Sequence, residues 1–362
     1  MSRPVALLTC DLAPSLGVGH FMRCLALAEE LARGGFTPVF GADVDSVPFA
    51  AEQLARRGLR AVPPGRDAAG LTRVAESVGA VVHVVDSYVI PTEAYARLRG
   101  AARPLLVAIV DGDTGGRAAD LYVDQNLGSE DLDVWTAPGS RRLAGLAYAL
   151  LRDDVTSRRP ARPADGAPRG DVVSAVAFFG GTDPFDASVH VSRALVATGE
   201  PVDVTVVAPR DEQRTAIAAL TPAPGQRLRP IAPTADLPAL VADADVVLSG
   251  AGTSTWELMC LGSAVGLLQV AENQRLGYDA LAAARAAVPL GRLEDGTPTD
   301  TDPGALRDLL RDADRRTALR ERAWALVDDQ GRRRVVEAVT ALLTSRSAER
   351  ADLAVDTNGA RP

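Results

Sequence analysis

Cysteine is scarce in this 362-residue chain. The three present, Cys10, Cys24 and Cys260, have no metal-ligand spacing, and an odd count offers no disulfide framework. Each lies in an apolar strand-like or helix-like stretch, so the sequence predicts buried free thiols and a reducing, cytoplasmic setting. Basic excess is also lacking. The net charge is −8, so no broad cationic face is available and nucleic acid is excluded as a partner. No apolar run approaches the ~18 residues of a membrane span. The opening MSRPVALLTCD lacks the basic region and apolar stretch of a signal peptide and reads as a first strand. Aromatics make up only 4% of the chain, yet hydrophobic residues reach 47%, enough for substantial cores built from Ala, Val and Leu.

What is present is a regular alternation of strands and helices. In the first half, strands are expected at 5–10, 37–41, 60–62, 81–86, 105–111, 121–124 and 147–150, with helices at 20–33, 47–57, 68–78 and 91–99. Runs such as VVHVVD and LLVAIVD are apolar almost throughout, as strands of a parallel sheet buried on both faces must be. Residues 152–170, RDDVTSRRPARPADGAPRG, have no periodicity and read as a linker. The alternation then restarts at Val172, and the polar stretch 345–362 reads as a tail without structure. The expected organisation is therefore an N-terminal Rossmann-like α/β domain over 1–151, a linker over 152–170 and a C-terminal Rossmann-like domain over 171–344. The strand carboxyl ends of both domains would face a cleft.

The segment Asp11–Arg33, DLAPSLGVGHFMRCLALAEELAR, carries the most information. A strand runs into a turn with Gly17 and Gly19, and His20 follows at the mouth of an Ala/Leu-rich helix that also bears Arg23, with Gly17, Gly19 and Arg23 expected to bind the substrate. Bare N–H groups at a helix start attract phosphate. Imidazole is the side chain best suited to move a proton near neutral pH. The spacing is not the dinucleotide fingerprint, because His20 stands where two residues and a third glycine would be needed.

Two later segments repeat the strand-to-small-residue logic. FFGGTDP places Gly181 and Thr182 after a strand, with Thr182 or Asp183 able to cap the next helix. SGAGTSTWE places Gly252, Thr253 and Ser254 where amides and hydroxyls can reach phosphate oxygens. Glu257 follows Thr253 by one helical turn and could accept bonds from two ribose hydroxyls. Asn273 and Gln274 end another strand and suit sugar hydroxyls or acetamido groups, and Tyr88 ends a strand in the first half. The two carboxylates of Asp111-Gly112-Asp113 raise a metal site, but no histidine is near them in sequence, and no cofactor or metal is implied.

Together and in this order, GVGHFMRCLALAEEL, VVDSY, IVDGD, ADLYVDQN, YALLRDDV, FFGGTDP, LSGAGTSTWELMCLG, AENQ and DDQGRRRV resemble one family. It is that of the UDP-sugar hydrolases of pseudaminic acid biosynthesis, with the related spore-coat polysaccharide biosynthesis proteins. The resemblance implies a two-domain glycosyltransferase-B fold. It also implies metal-independent release of UDP from a 2,4-diacetamido-2,4,6-trideoxy sugar, by water attack at the anomeric carbon with inversion. It assigns His20 as general base, Tyr88 and Asn273 to the sugar and the attacking water, and Glu257 to the uridine ribose. The diphosphate and nucleotide fall to the loops at Gly181-Thr182 and Gly252-Thr253-Ser254. Two positions depart from the family pattern: Ser87 stands where a histidine is common, and Gly112 where an acidic residue is frequent.

A glycosyltransferase is the alternative, because GAGTSTWEL and the later Asn273-Gln274 also resemble the UDP-sugar transferases that build the peptidoglycan lipid precursor. A binding module without catalysis is a third reading, against which His20 stands. The sequence leaves the sugar and the oligomeric state open.

Overall fold

The computed structural model describes residues 3–13, 18–100, 102–294, 297–299 and 302–359. It divides into two compact units, one formed by 1–13, 20–150 and 330–362, the other by 14–19 and 151–329.

The first unit is built on seven parallel strands: β1 (Val5–Cys10), β2 (Thr37–Gly41), β3 (Arg60–Val62), β4 (Ala80–Asp86), β5 (Leu105–Ile109), β6 (Leu121–Asp124) and β7 (Arg141–Ala144). Their order is β3-β2-β1-β4-β5-β6-β7. The near-continuous apolar runs are explained by burial on both faces. In β5, Leu105, Val107 and Ile109 join the cluster that holds Phe21, Leu25 and Leu31 of the helix Gly19–Arg33. The alternate residues Leu106 and Ala108 join the opposite cluster, with Tyr95 and Tyr122.

The second unit repeats the plan with β8 (Val173–Phe178), β9 (Val202–Val207), β10 (Gln226–Ile231), β11 (Val246–Gly250), β12 (Val265–Gln269), β13 (Val288–Glu294) and β14 (Thr297–Thr299). The order is β10-β9-β8-β11-β12-β13-β14, parallel except for the antiparallel β14 at the edge. The chain is thus an α/β protein of two Rossmann-like domains, as the alternation predicts.

Several expectations are corrected. The strand expected at 147–150 is absent: β7 lies earlier, and Leu146–Tyr148 form a 3-10 turn. The strand β13 escapes the sequence reading because Pro289, Gly291 and Arg292 break the apolar run, and with it β14, although the Asp295-Gly296 dipeptide between them in sequence is a hairpin signal that the reading passed over. The stretch expected as a linker lies against the second unit. The buried Arg316 and Arg320 donate to the carbonyls of Gly166 and Asp165, and the indole of Trp324 donates to Pro160. The expected unstructured tail is helical as far as Gly359, in a helix that starts at Gly331. That helix belongs to the first unit, not to the C-terminal domain. Its Val335, Val336 and Val339 enter the first-unit core, and Arg332 pairs with Glu29 at 2.8 Å. No helix among the described residues is long and apolar enough to cross a membrane.

Candidate functional site

In an open parallel sheet, ligands bind beyond the strand carboxyl ends where the strand order reverses. In the first unit that point lies between β1 and β4, which are paired with Cys10 opposite Asp86. His20 is the second residue of the helix that follows β1. Its Nδ1 lies 2.6 Å from Oδ1 of Asp86, the last residue of β4. A carboxylate can only accept, so Nδ1 carries the proton and Nε2 of the neutral ring is the basic nitrogen. Nε2 makes no hydrogen bond among the described residues. The 3.3 Å approach of Arg23 Nη2 to Nδ1 is then a meeting of two donors on the same oxygen, since Nη2 also donates to Asp86 Oδ1 at 2.7 Å.

Arg23 stands one turn after His20 and is 3% exposed. It donates to Asp86 through Nε at 2.6 Å and to both oxygens of Asp111, just beyond β5, at 2.7 and 2.9 Å. The cation between these two carboxylates is therefore a guanidinium of the chain itself. Asn126, beyond β6, donates to Asp111 at 2.9 Å and to Asp124 at 2.8 Å. The Tyr88 hydroxyl donates to Asp111, and its ring meets the His20 ring edge-on at 4.7 Å between centroids. Among the described residues no group of three or more His, Cys, Asp and Glu has the arrangement to hold a metal ion.

These contacts set the protonation states. Burial works against a charged His20, but the Asp86 carboxylate outweighs it and raises the imidazole above its ordinary value. Burial opposes ionisation of Asp86 and Asp111 too, yet Arg23 holds both below the usual carboxylate range. Burial, followed by the Asp111 charge, pushes the Tyr88 phenol upward, so it stays a donor.

The two departures from the family pattern have local explanations. Ser87 is buried and bonded to Asp11 and within its own turn: its hydroxyl donates to Asp11 at 2.6 Å and accepts from the amides of Val89 and Ile90. Gly112 has φ of 75°, a conformation that favours glycine, and its N–H donates to Asp124 at 2.9 Å. Of the other two histidines, His83 is buried within β4 and bonded to Thr9 at 3.0 Å, and His190 lies in the helix Ala187–Thr198.

In the second unit, order reversal falls between β8 and β11, where Phe178 lies opposite Ser249. Both small-residue motifs follow these strands, so Gly181-Thr182 and Gly252-Thr253-Ser254 share the switch point. Asp183, not Thr182, caps the helix Ala187–Thr198, accepting from the amides of Ala187 and Ser188 at 2.9 and 3.0 Å. The side chain of Gln274 lies over the glycine turn, where a Cβ on Gly252 would stand 3.4 Å from its Nε2. Gln274 also accepts from the Val270 amide at 3.0 Å, and its neighbour Asn273 is exposed. Thr253 and Ser254 are part-exposed, and Trp256 is packed inside. The Glu257 carboxylate is gripped by Arg152, whose Nε and Nη2 donate to Oε1 and Oε2, each at 3.0 Å.

Gly19 opens the helix that carries His20, and Gly17 lies outside the described residues. Sequence reasoning weighed Asp111 only as a metal ligand and gave no role to Asp86, Asn126 or Arg152. A signal existed for Asp86, Asp111 and Asn126, since VVD, IVD and YVDQN each deliver an aspartate to one sheet edge. Arg152 carried none beyond its place in the YALLRDDV motif, at the start of a stretch without periodicity.

No sequence-family profile and no curated protein sequence matches the chain. Its fold does match solved structures. Acinetobacter baumannii MurG superposes with a TM-score of 0.65 at 14% identity, covering 94% of this chain and 99% of that one. Spinosyn rhamnosyltransferase SpnG, complexed with spinosyn aglycone, gives 0.60 at 17% identity, covering 92% and 100%. Phytolacca americana UGT2, complexed with UDP-2-fluoro-glucose and pterostilbene, gives 0.62 at 12% identity, covering 94% and 100%. At these identities the likeness is one of fold, and the fold is glycosyltransferase-B.

Proposed function

We propose that this chain is a nucleotide-sugar hydrolase that releases UDP from a UDP-linked acetamido- or diacetamido-deoxy sugar. The observation that carries the reading is the His20–Asp86 pair at the switch point of the first sheet, with Nε2 left as the basic nitrogen. Water attacks the anomeric carbon, and its proton passes to Nε2. The bond from that carbon to the β-phosphate oxygen breaks, its electron pair leaves on UDP, and attack opposite to the leaving group inverts the centre. A positioned base of this kind contributes about 10²–10⁴-fold. Arg23 and Asp111 act through others: Arg23 orients Asp86, and Asp111 orients Tyr88.

The reading assigns the nucleotide to the second unit. Gly181, Thr182, Gly252, Thr253 and Ser254 would meet the diphosphate, Glu257 the ribose, and Asn273 and Gln274 the sugar. The structures similar in fold include proteins solved with a UDP-sugar analogue and with an aglycone, which supports a sugar-nucleotide substrate.

A glycosyltransferase is the second reading, because the same His–Asp pair could deprotonate an acceptor hydroxyl in place of water. The half-exposed Tyr88 and the adjoining exposed Val89 favour it by offering an apolar surface beside His20. The deciding experiment is UDP release from a panel of UDP-sugars with no acceptor and with EDTA, His20→Ala alongside. Release that survives EDTA and vanishes in the variant supports the hydrolase. Binding of UDP with no release from any sugar overturns it in favour of transfer.

A further inference from the structure

We infer that Arg152 is a positioning residue for nucleotide recognition, setting the Glu257 carboxylate so that it selects a ribose over a 2′-deoxyribose. The inference rests on the assignment of Glu257 to the ribose.

Glu257 sits in the first turn of the helix Ser254–Cys260, with its side chain 19% exposed. Arg152 reaches it from the chain segment that opens the second unit, and the short helix Asp153–Thr156 packs against Ser254–Cys260. The Arg152 side chain is 9% exposed, so the carboxylate is the more open of the two groups. The contact is a fork, with two N–H groups on two oxygens at 3.0 Å each. A fork fixes the carboxylate plane as well as its place. It uses two of the roughly four acceptor sites of the carboxylate, leaving two for a pair of hydroxyls. The adjacent 2′- and 3′-hydroxyls of a ribose are such a pair. A glutamate without the fork would swing through its rotamers and lose that geometry.

The test is calorimetric binding of UDP and 2′-deoxy-UDP to the full chain, to Glu257→Gln, and to Arg152→Gln and Arg152→Lys. A hydrogen bond to a charged group predicts that the wild type prefers UDP by about tenfold or more. Arg152→Gln is expected to bring that ratio close to that of Glu257→Gln while 2′-deoxy-UDP affinity stays within about twofold. Arg152→Lys, which keeps the charge and loses the fork, is expected to give an intermediate ratio, and it decides the matter alone if Arg152→Gln does not fold. A wild-type ratio retained in both Arg152 variants overturns the inference and leaves the ribose assignment standing. Equal loss of both nucleotides in them overturns it in favour of a purely structural ion pair. A wild-type ratio near one, or a ratio unchanged in Glu257→Gln, removes the ribose assignment itself and the inference with it.

Discussion

His20 and Asp86 stand 66 residues apart in the chain and 2.6 Å apart in the fold. The aspartate selects the tautomer, orients the ring and raises its proton affinity against the effect of burial. This pair makes the first unit a candidate for proton transfer.

Replacing Asp86 tests the pair directly. Turnover needs neutral His20, so the rate of the wild type should rise with pH through a midpoint above the ordinary ~6.5 of histidine. Asp86→Asn removes the charge that raises His20 and leaves burial, which lowers it. The midpoint should therefore move below ~6.5 while the plateau rate falls. A pH–rate profile that does not shift would separate His20 from the rate-limiting proton transfer.

His20→Ala is expected to lower turnover by about 10²–10⁴-fold and to leave UDP affinity within a few-fold, since the nucleotide is assigned to the other unit. Single-turnover kinetics and titration calorimetry measure the two effects separately. Near-normal turnover would rule out His20 as the base.

Arg23 is the buried guanidinium that compensates both Asp86 and Asp111. Removing one partner of a buried pair costs about 3–5 kcal/mol, so Arg23→Gln should lower the urea midpoint substantially. Arg23→Lys should recover only part of the loss, because an ammonium cannot fork to two carboxylates. A loss within 1 kcal/mol would mean that water reaches the cluster.

Asp183 supplies a helix cap from a residue with φ of 40°, a region that aspartate and asparagine enter more readily than most. Asp183→Ala should cost about 1–2 kcal/mol, and Asp183→Asn clearly less. Thermal unfolding of the two variants gives the comparison.

His83 is buried and its pKa is lowered to about 4 by burial. The unfolded chain takes up a proton there near pH ~6.5, the folded chain only near 4. Its contribution to stability is thus fully present above ~6.5 and is lost as pH falls towards 4, by up to about 3 kcal/mol. His20, with its raised value, acts with the opposite sign: its contribution is present at low pH and lost as pH rises through the folded value. Comparing wild type with His83→Gln cancels His20, and the difference in stability should shrink on acidification from pH ~6.5 to ~4. A difference that is flat with pH would place a proton on His83 in the fold.

Much of this was legible in the chain. Apolar runs and helical periods located most elements within a residue or two, because burial on both faces of a parallel sheet demands such runs. Parallel connectivity then requires that whatever follows each strand emerges at the same edge. That is why His20, Tyr88, Gly181-Thr182 and Gly252-Thr253-Ser254 could be assigned to sheet edges from sequence. Strand order was not legible. It made β1 and β4 neighbours and Asp86 the partner of His20, and it put Asp111 and Asn126 beside Arg23. Nor was the fork of Arg152 on Glu257, across 105 residues, or the return of the helix Gly331–Gly359 to the first unit. Local propensity and hydrophobic period act over a few residues. Pairings between distant residues are chosen by how whole elements pack, so only the tertiary structure decided them.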